Sequence, residues 1–172
     1  MTMMKRRSLL KLGLGAAVVL GVVGAGVAML KPGLVDGGKK LSPGGRQIFA
    51  AVARAVFDGG LLDPRNEAAM KALLDRLDQN IAVFPAAVRD ELSQVLSLLD
   101  TAAGRFALIG LKSDWATVPT AELAGVLDAL RLSGSNTRQQ IYHALRDLCS
   151  VAFFTDPANW AAVGYPGPRE IP

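Results

Sequence analysis

The side chains that could perform chemistry in this chain are few. The sequence has one histidine, His143, and one cysteine, Cys149. A general base needs a nucleophile and an orienting acid within hydrogen-bond reach, whereas Arg146 and Asp147 beside His143 have the pattern of a solvated helix face. A lone cysteine excludes an intrachain disulfide and any zinc site built on several cysteines. We therefore predict no catalytic residue and no metal site in this chain. A small enzyme that uses His143 is kept as an alternative hypothesis.

The remaining polar residues give no stronger indication of a reaction. Cys149 lies on or beside an apolar stripe, which favours a buried structural thiol over a reactive or intermolecular one. Asp75 and Asp78 share a helix face with Lys71 and Arg76 beside them, and we interpret this group as surface charge balance. The chain has no phosphate-binding loop, no dinucleotide fingerprint and no HExxH motif, so we expect no cofactor in this chain.

The elements that position these residues are predicted to be helices. Apolar residues recur at spacings of three and four through residues 42–155, which is the period of amphipathic helices. No stretch alternates with period two for long enough to predict a strand. We expect an all-α fold, an irregular bundle of about five helices. Helix starts are indicated at Ser42-Pro43, Asp63-Pro64, Pro85, Thr120 and Ser135-Asn136.

Glycines are predicted to end or interrupt two of these helices. Gly59-Gly60 is predicted to end the first helix, and the helix that starts at Pro85 is predicted to continue towards Ile109 with a break at Gly104. A loop is expected at residues 110–119.

The charge is concentrated at the N-terminus. The chain of 172 residues carries 19 Lys+Arg and 15 Asp+Glu, a formal net charge of +4. Four of the basic residues precede Leu12, so the remainder has 19 − 4 = 15 basic against 15 acidic residues. A neutral body argues against nucleic acid as a partner.

An uncharged, Gly-rich run at residues 12–30 follows the basic cluster, and as a helix it would be about 28 Å long, close to a bilayer's hydrocarbon thickness. This is the form of an export signal. The preceding residues are similar to the twin-arginine signal R-R-x-φ-φ-K, and a start-transfer anchor is the alternative. The matching positions are Arg6, Arg7, Leu9, Leu10 and Lys11.

Residues 1–30 are therefore predicted to be a twin-arginine signal or a membrane-anchor helix, and residues 31–41 a linker. Small residues at 26–28 offer a cleavage site, but the next residues suit it poorly, so we favour a retained or slowly cleaved signal. The expected location is periplasmic, with anchoring to the inner membrane where the signal is retained. This export route carries folded proteins, which suggests that the chain crosses with a bound partner.

The C-terminal tail, residues 156–172, has a different composition. Asp156 is predicted to cap a short turn opened by Pro157, with Trp160 on that turn. The following Gly-Tyr-Pro-Gly-Pro run at residues 164–168 excludes a helix and predicts an extended or turn path. Aromatic residues on a stiff tail are suited to partner contacts. Alternatively, Trp160 and Tyr165 fold back and close the domain's own core.

The tail resembles the C-terminal signature of the gluconate 2-dehydrogenase subunit 3 family, W-x-x-x-G-[YF]-P-G. The signal and helical body match that family only in kind, and the short TDPAN stretch at residues 155–159 replaces a longer insertion found in some members. The matching positions, predicted to bind the partner, are Trp160, Gly164, Tyr165, Pro166 and Gly167.

The resemblance implies a non-catalytic small subunit of a membrane-bound sugar or alcohol dehydrogenase. In that family a large subunit of the glucose-methanol-choline oxidoreductase type holds FAD, a cytochrome c subunit often accepts the electrons, and the small subunit carries the large one through the twin-arginine translocase. The alternative hypothesis is a stand-alone periplasmic binding or scaffold domain held at the membrane by its first helix.

Overall fold

The computed structural model describes residues 30–57 and 66–168, and these form a mostly helical domain. Within that part of the chain a two-stranded hairpin precedes six α-helices, and a short 3-10 helix, here called the tail helix, follows them. The elements are β1 (Leu34–Val35), β2 (Lys40–Leu41), α1 (Pro43–Val56), α2 (Glu67–Ala82), α3 (Ala86–Asp100), α4 (Ala102–Ile109), α5 (Thr120–Arg131), α6 (Asn136–Phe154) and the tail helix (Pro157–Val163).

The all-α class predicted from the sequence is therefore confirmed. The core contains the predicted apolar stripes of the helices, with α1 packed against α3, α5 and α6, and α2 packed against α6. Ile48 and Phe49 of α1, Leu73 and Leu77 of α2 and Leu145 of α6 are all fully buried. Each such side chain stabilises the fold by about 1.5–3 kcal/mol through removal of apolar surface from water.

Residues 31–41, predicted to be a linker, instead contain the antiparallel hairpin. Leu34 pairs with Leu41, and both side chains are buried in the core. Asp36 has a positive φ of 52° at the turn, which the next two residues, both glycines with positive φ, continue. The linker prediction was wrong because Gly and Lys were taken as signs of an open connection, whereas they form the turn of a hairpin whose two leucines join the core.

Most predicted helix starts agree with the structure, one differs, and one is not tested. Ser42 caps α1 by accepting a hydrogen bond from the amide of Gly45. The predicted start at Asp63-Pro64 lies outside the described residues, and α2 begins later, at Glu67, because the Asn66 side chain accepts from the Ala69 amide. Thr120, predicted to be a cap, is instead the first helical residue of α5.

The helix predicted from Pro85 to Ile109 is two helices, α3 and α4, that meet at 106°. The break lies at Thr101, not at Gly104, because the Thr101 backbone is extended and its hydroxyl caps α4 by accepting from the Gly104 amide. A Cβ at Gly104 would lie 2.2 Å from the Leu98 carbonyl oxygen. Gly104 thus permits the close approach of the two helices, and this division accounts for six helices where about five were predicted.

The predicted loop at residues 110–119 places Trp115 in the core. Trp115 is only 2% exposed, and its Nε1 donates to the Leu99 carbonyl at 2.7 Å. Its ring lies 5.9 Å from the guanidinium carbon of Arg105, which is itself buried and 3.5 Å from an Asp114 carboxylate oxygen. The loop therefore packs against the junction of α3 and α4 through Trp115.

Among the helices that the structure describes, none is by itself long and apolar enough to cross a membrane, and only α3 and α4 together pass such a test, as a sharply bent pair.

Candidate partner-binding surface

The two residues considered first for chemistry lie in opposite environments on α6. His143 is 63% exposed, with its Nδ1 3.8 Å from a carboxylate oxygen of Asp147. Cys149 is fully buried, and burial raises the pKa of its thiol far above the usual value. The prediction of a buried cysteine is confirmed, and its thiol is protonated and shielded from partners. Within residues 30–57 and 66–168, no three His, Cys, Asp or Glu side chains form a metal-binding group.

The acidic pair on α2 is not simple surface charge balance. Asp78, only 14% exposed, accepts from the backbone amide of Leu41 at 2.8 Å and from Arg46 at 2.7 Å. Asp75 accepts from Arg46 at 2.7 Å and from Lys71 at 2.6 Å. The surface interpretation was wrong for Asp78, because its carboxylate joins α2 to the hairpin and to α1.

The electrostatics of this cluster follow from its hydrogen bonds. The bonds from Lys71 and then Arg46 hold the pKa of Asp75 below its usual value. For Arg46, partial burial opposes the charged form, but the bonds and charges of Asp75 and Asp78 outweigh it and raise the pKa. The cluster is a structural network in which each charge has an opposite partner, as partly buried charges require.

Arg76, also taken as surface charge, binds the end of α6 and the start of the tail. Its Nε donates to the carbonyl of Ala152 at 2.8 Å, and one terminal nitrogen donates to Asp156 at 3.0 Å. Only 19% of its side chain is exposed. No helical spacing in the sequence could indicate this contact, because the partners are 76 and 80 residues away along the chain and meet Arg76 only after α2 packs on α6.

The end of α6 is capped almost entirely by the residues that follow it. The last four carbonyls of a helix have no partner within the helix. Here side chains supply all four: Thr155 donates to Val151, Arg76 to Ala152, Asn159 to Phe153 and Trp160 to Phe154. The donor–acceptor distances are 2.6, 2.8, 2.7 and 2.7 Å, respectively.

The start of the C-terminal tail agrees with the predicted turn. Asp156 caps the tail helix by accepting from the Ala158 amide at 3.0 Å, and Pro157 is its first residue. Trp160 lies within this helix, which ends at Gly164 with a φ of 72°. The positive φ explains why glycine occupies this position.

The described part of the Pro/Gly run folds back towards Trp160. The Tyr165 amide donates to the Trp160 carbonyl at 3.0 Å, and the two rings form an edge contact with centroids 5.3 Å apart. A Cβ built on Gly167 would lie 3.5 Å from the Trp160 ring. Pro166 is exposed between these contacts. The structure thus brings the five predicted partner-binding residues into one local arrangement.

Neither aromatic residue of this arrangement closes the core. Trp160 is half-buried against the end of α6, and Tyr165 is 48% exposed. The core-closing alternative is therefore wrong for both side chains: Tyr165 stays exposed, and the Trp160 Nε1 caps α6 instead.

Three further exposed apolar side chains lie on α6 and on the tail helix. Val151 and Phe154 are exposed one turn apart on α6, and Val163 is exposed three residues after Trp160. Since a 3-10 helix has about three residues per turn, Val163 and Trp160 share a face. Sequence reasoning missed the α6 and Val163 contributions, although the exposed pair interrupts the polar face of α6. We call this the tail surface; it consists of Val151, Phe154, Trp160, Val163 and Tyr165.

The predicted export residues Arg6, Arg7, Leu9, Leu10 and Lys11, with the whole uncharged run up to residue 29, lie outside the described residues. The end of the tail, residues 169–172, also lies outside them.

No protein-family model matches this chain, and no curated protein or solved structure matches it.

Proposed function

We propose that this chain is the non-catalytic small subunit of an FAD-dependent dehydrogenase of the glucose-methanol-choline type. In this proposal it escorts the folded flavoprotein through the twin-arginine translocase and stabilises it in a periplasmic complex, which in some cases includes a cytochrome c. The FAD belongs to the partner. The assignment rests on the resemblance of the tail to the gluconate 2-dehydrogenase subunit 3 signature and on the similarity of the N-terminus to a twin-arginine signal.

The observation that carries the proposal is the tail surface. Besides the Trp160–Tyr165 pair, it includes three aliphatic or aromatic side chains that are more than one-third exposed. Large apolar side chains that stay exposed together typically mark an interaction site, and aromatic anchors dominate protein interfaces. Because the indole N–H of Trp160 already binds the Phe154 carbonyl, a partner would contact the ring face and not the indole donor.

The first test is isolation of the tagged full chain from native membranes, followed by an absorption spectrum. We expect a yellow complex with a large second polypeptide. A colourless single polypeptide would support the stand-alone binding or scaffold domain instead.

The second test asks whether the partner binds through the tail surface. Trp160→Ala is expected to reduce co-purified flavin on the order of tenfold, since a central aromatic anchor contributes much of an interface's binding energy. Phe106→Ala is the matched control, because Phe106 is an exposed aromatic residue of α4 outside the tail surface. Equal flavin recovery from both variants would exclude the tail surface as the interface.

The third test concerns the escort role. Replacing Arg6 and Arg7 together by lysine should leave the flavoprotein in the cytoplasm, because the pair is what the receptor reads. Lys5→Arg is the control, since it alters a neighbouring basic residue and preserves the pair. Unchanged periplasmic flavin activity in the double variant would contradict the escort role.

A further inference from the structure

Among the described residues, the C-terminal tail is hydrogen-bonded to α6 and, beyond α6, to one side chain only, Arg76 of α2. Among the hydrogen bonds of the described residues, those of the tail are made within the tail or to α6, except the bond from Arg76. Arg76 lies in α2 and reaches Asp156 across the end of α6. The planar guanidinium can hold two acceptors in a fixed relation, here the Ala152 carbonyl and the Asp156 carboxylate.

Asp156 connects Arg76 to the helix that carries Trp160. One carboxylate oxygen of Asp156 accepts from Arg76, and the other accepts from the Ala158 amide at the start of the tail helix. Fixing Asp156 therefore fixes where the tail helix begins. Trp160 then lies where its indole can reach the Phe154 carbonyl and its ring can contact Tyr165.

The alternative to this arrangement is a tail that orders only on binding. Each residue ordered at that moment loses backbone conformational entropy, and a preformed surface avoids that cost.

We infer that Arg76 is a positioning residue for the partner interface: it holds the tail helix against the end of α6, so that the Trp160–Tyr165 surface is preformed before a partner arrives. This inference rests on the proposed function for the partner's identity. The ordering of the tail itself can be measured without a partner.

The experiment uses iodide quenching of tryptophan fluorescence in the purified full chain. The chain has two tryptophans; Trp115 is buried in the core, whereas Trp160 is half-buried, so iodide-accessible emission reports on Trp160. Arg76→Met removes both hydrogen bonds and keeps an apolar stem. We expect it to raise the accessible quenching constant about twofold and to lower co-purified flavin on the order of fivefold, because a charge-assisted contact is lost at each acceptor.

Two further variants make the result specific. Arg131→Met is the control, since Arg131 is paired with Asp128 on α5 and makes no hydrogen bond to the tail. Arg76→Lys should restore part of the protection, because an ammonium can replace one of the two contacts but not both. Circular dichroism checks that the helical domain remains folded.

If Arg76→Met does not fold, Asp156→Asn tests the same link, because its amide oxygen can still cap Ala158 while the charge facing Arg76 is removed. Wild-type quenching in the folded Arg76→Met or Asp156→Asn protein would overturn the inference, as would unchanged flavin recovery despite increased quenching. A third outcome separates the two claims. If the variants increase quenching but even the wild-type chain binds no flavoprotein, the proposed function is contradicted and the ordering role of Arg76 is supported.

Discussion

Several charged side chains in this domain bind backbone groups that would otherwise lack a partner. Asp78 accepts from the Leu41 amide, Arg76 donates to the Ala152 carbonyl, and Arg89 donates to two carbonyls at the turn between α2 and α3. Since an unsatisfied buried polar group costs about 1–3 kcal/mol, these charges stabilise the junctions between elements. The positions of these residues were visible in the sequence, but the roles of Asp78 and Arg76 depend on contacts between distant segments.

Asp75 provides a pH-dependent test of the cluster on α2. Its pKa is lower in the folded than in the unfolded chain, because Lys71 and Arg46 hydrogen-bond to the carboxylate. The carboxylate therefore stabilises the folded state above its unfolded pKa, and this contribution is lost as pH falls through the folded pKa. We expect Asp75→Asn to be less stable than wild type at about pH 7, with a smaller difference at about pH 3, which lies below the usual Asp pKa of about 3.9.

Urea unfolding at the two pH values measures this difference. Asp90→Asn is the control, because it removes an exposed carboxylate from α3. A gap between wild type and Asp75→Asn that stays constant with pH would contradict the prediction.

At the scale of elements, the hairpin is joined to the helices on two sides. On one side the Gly33 amide donates to the Ser97 hydroxyl at 2.9 Å and the Leu34 amide to the Ser93 hydroxyl at 3.1 Å, both on α3. On the other side the Leu41 amide donates to Asp78 of α2. The hairpin is therefore an integral part of the domain, and its backbone must approach α3 closely.

Gly33 tests that close approach. A Cβ at Gly33 would lie 2.4 Å from the Ser93 carbonyl oxygen and 2.5 Å from the Leu96 Cβ. Because helix backbone cannot yield as a flexible side chain can, we expect Gly33→Ala to reduce the free energy of unfolding by about 1–3 kcal/mol or more. Thermal or urea unfolding followed by circular dichroism measures the change.

Gly125 is the matched control within α5, where an added Cβ meets nothing within 4 Å. Gly125→Ala should stabilise the protein by about 0.5–1 kcal/mol through better helix propensity. Equal effects of the two substitutions would show that the hairpin does not pack against α3 as described.

At the scale of the whole molecule, the tail surface leaves an apolar area open when the chain is alone. We expect the full chain, purified without a partner, to self-associate as its concentration rises in a buffer of constant detergent content. The double variant Val151→Ser with Val163→Ser should reduce that association at nearly unchanged melting temperature, because both side chains are exposed and exposed substitutions typically change stability by no more than about 0.5 kcal/mol.

Light scattering over a concentration series gives the measurement. Val83→Ser is the control, since Val83 is the most exposed large apolar residue of the described chain but lies at the turn between α2 and α3. If association falls equally in Val83→Ser, it is nonspecific hydrophobic association and does not use a defined surface.

The sequence by itself determined the helical class, most helix starts, the burial of Cys149 and the Asp156–Pro157 turn, because each depends on periodicity or on capping between near neighbours. The tertiary structure decided that residues 34–41 form a hairpin, that α3 and α4 separate at Thr101, and that Arg76 and Asp78 bind distant backbone. It also decided that Tyr165 remains exposed while the Trp160 indole caps α6. The contacts of Arg76 and Asp78 and the burial of Leu34 and Leu41 depend on which surfaces meet after the helices pack, and local spacing carries no information about that encounter.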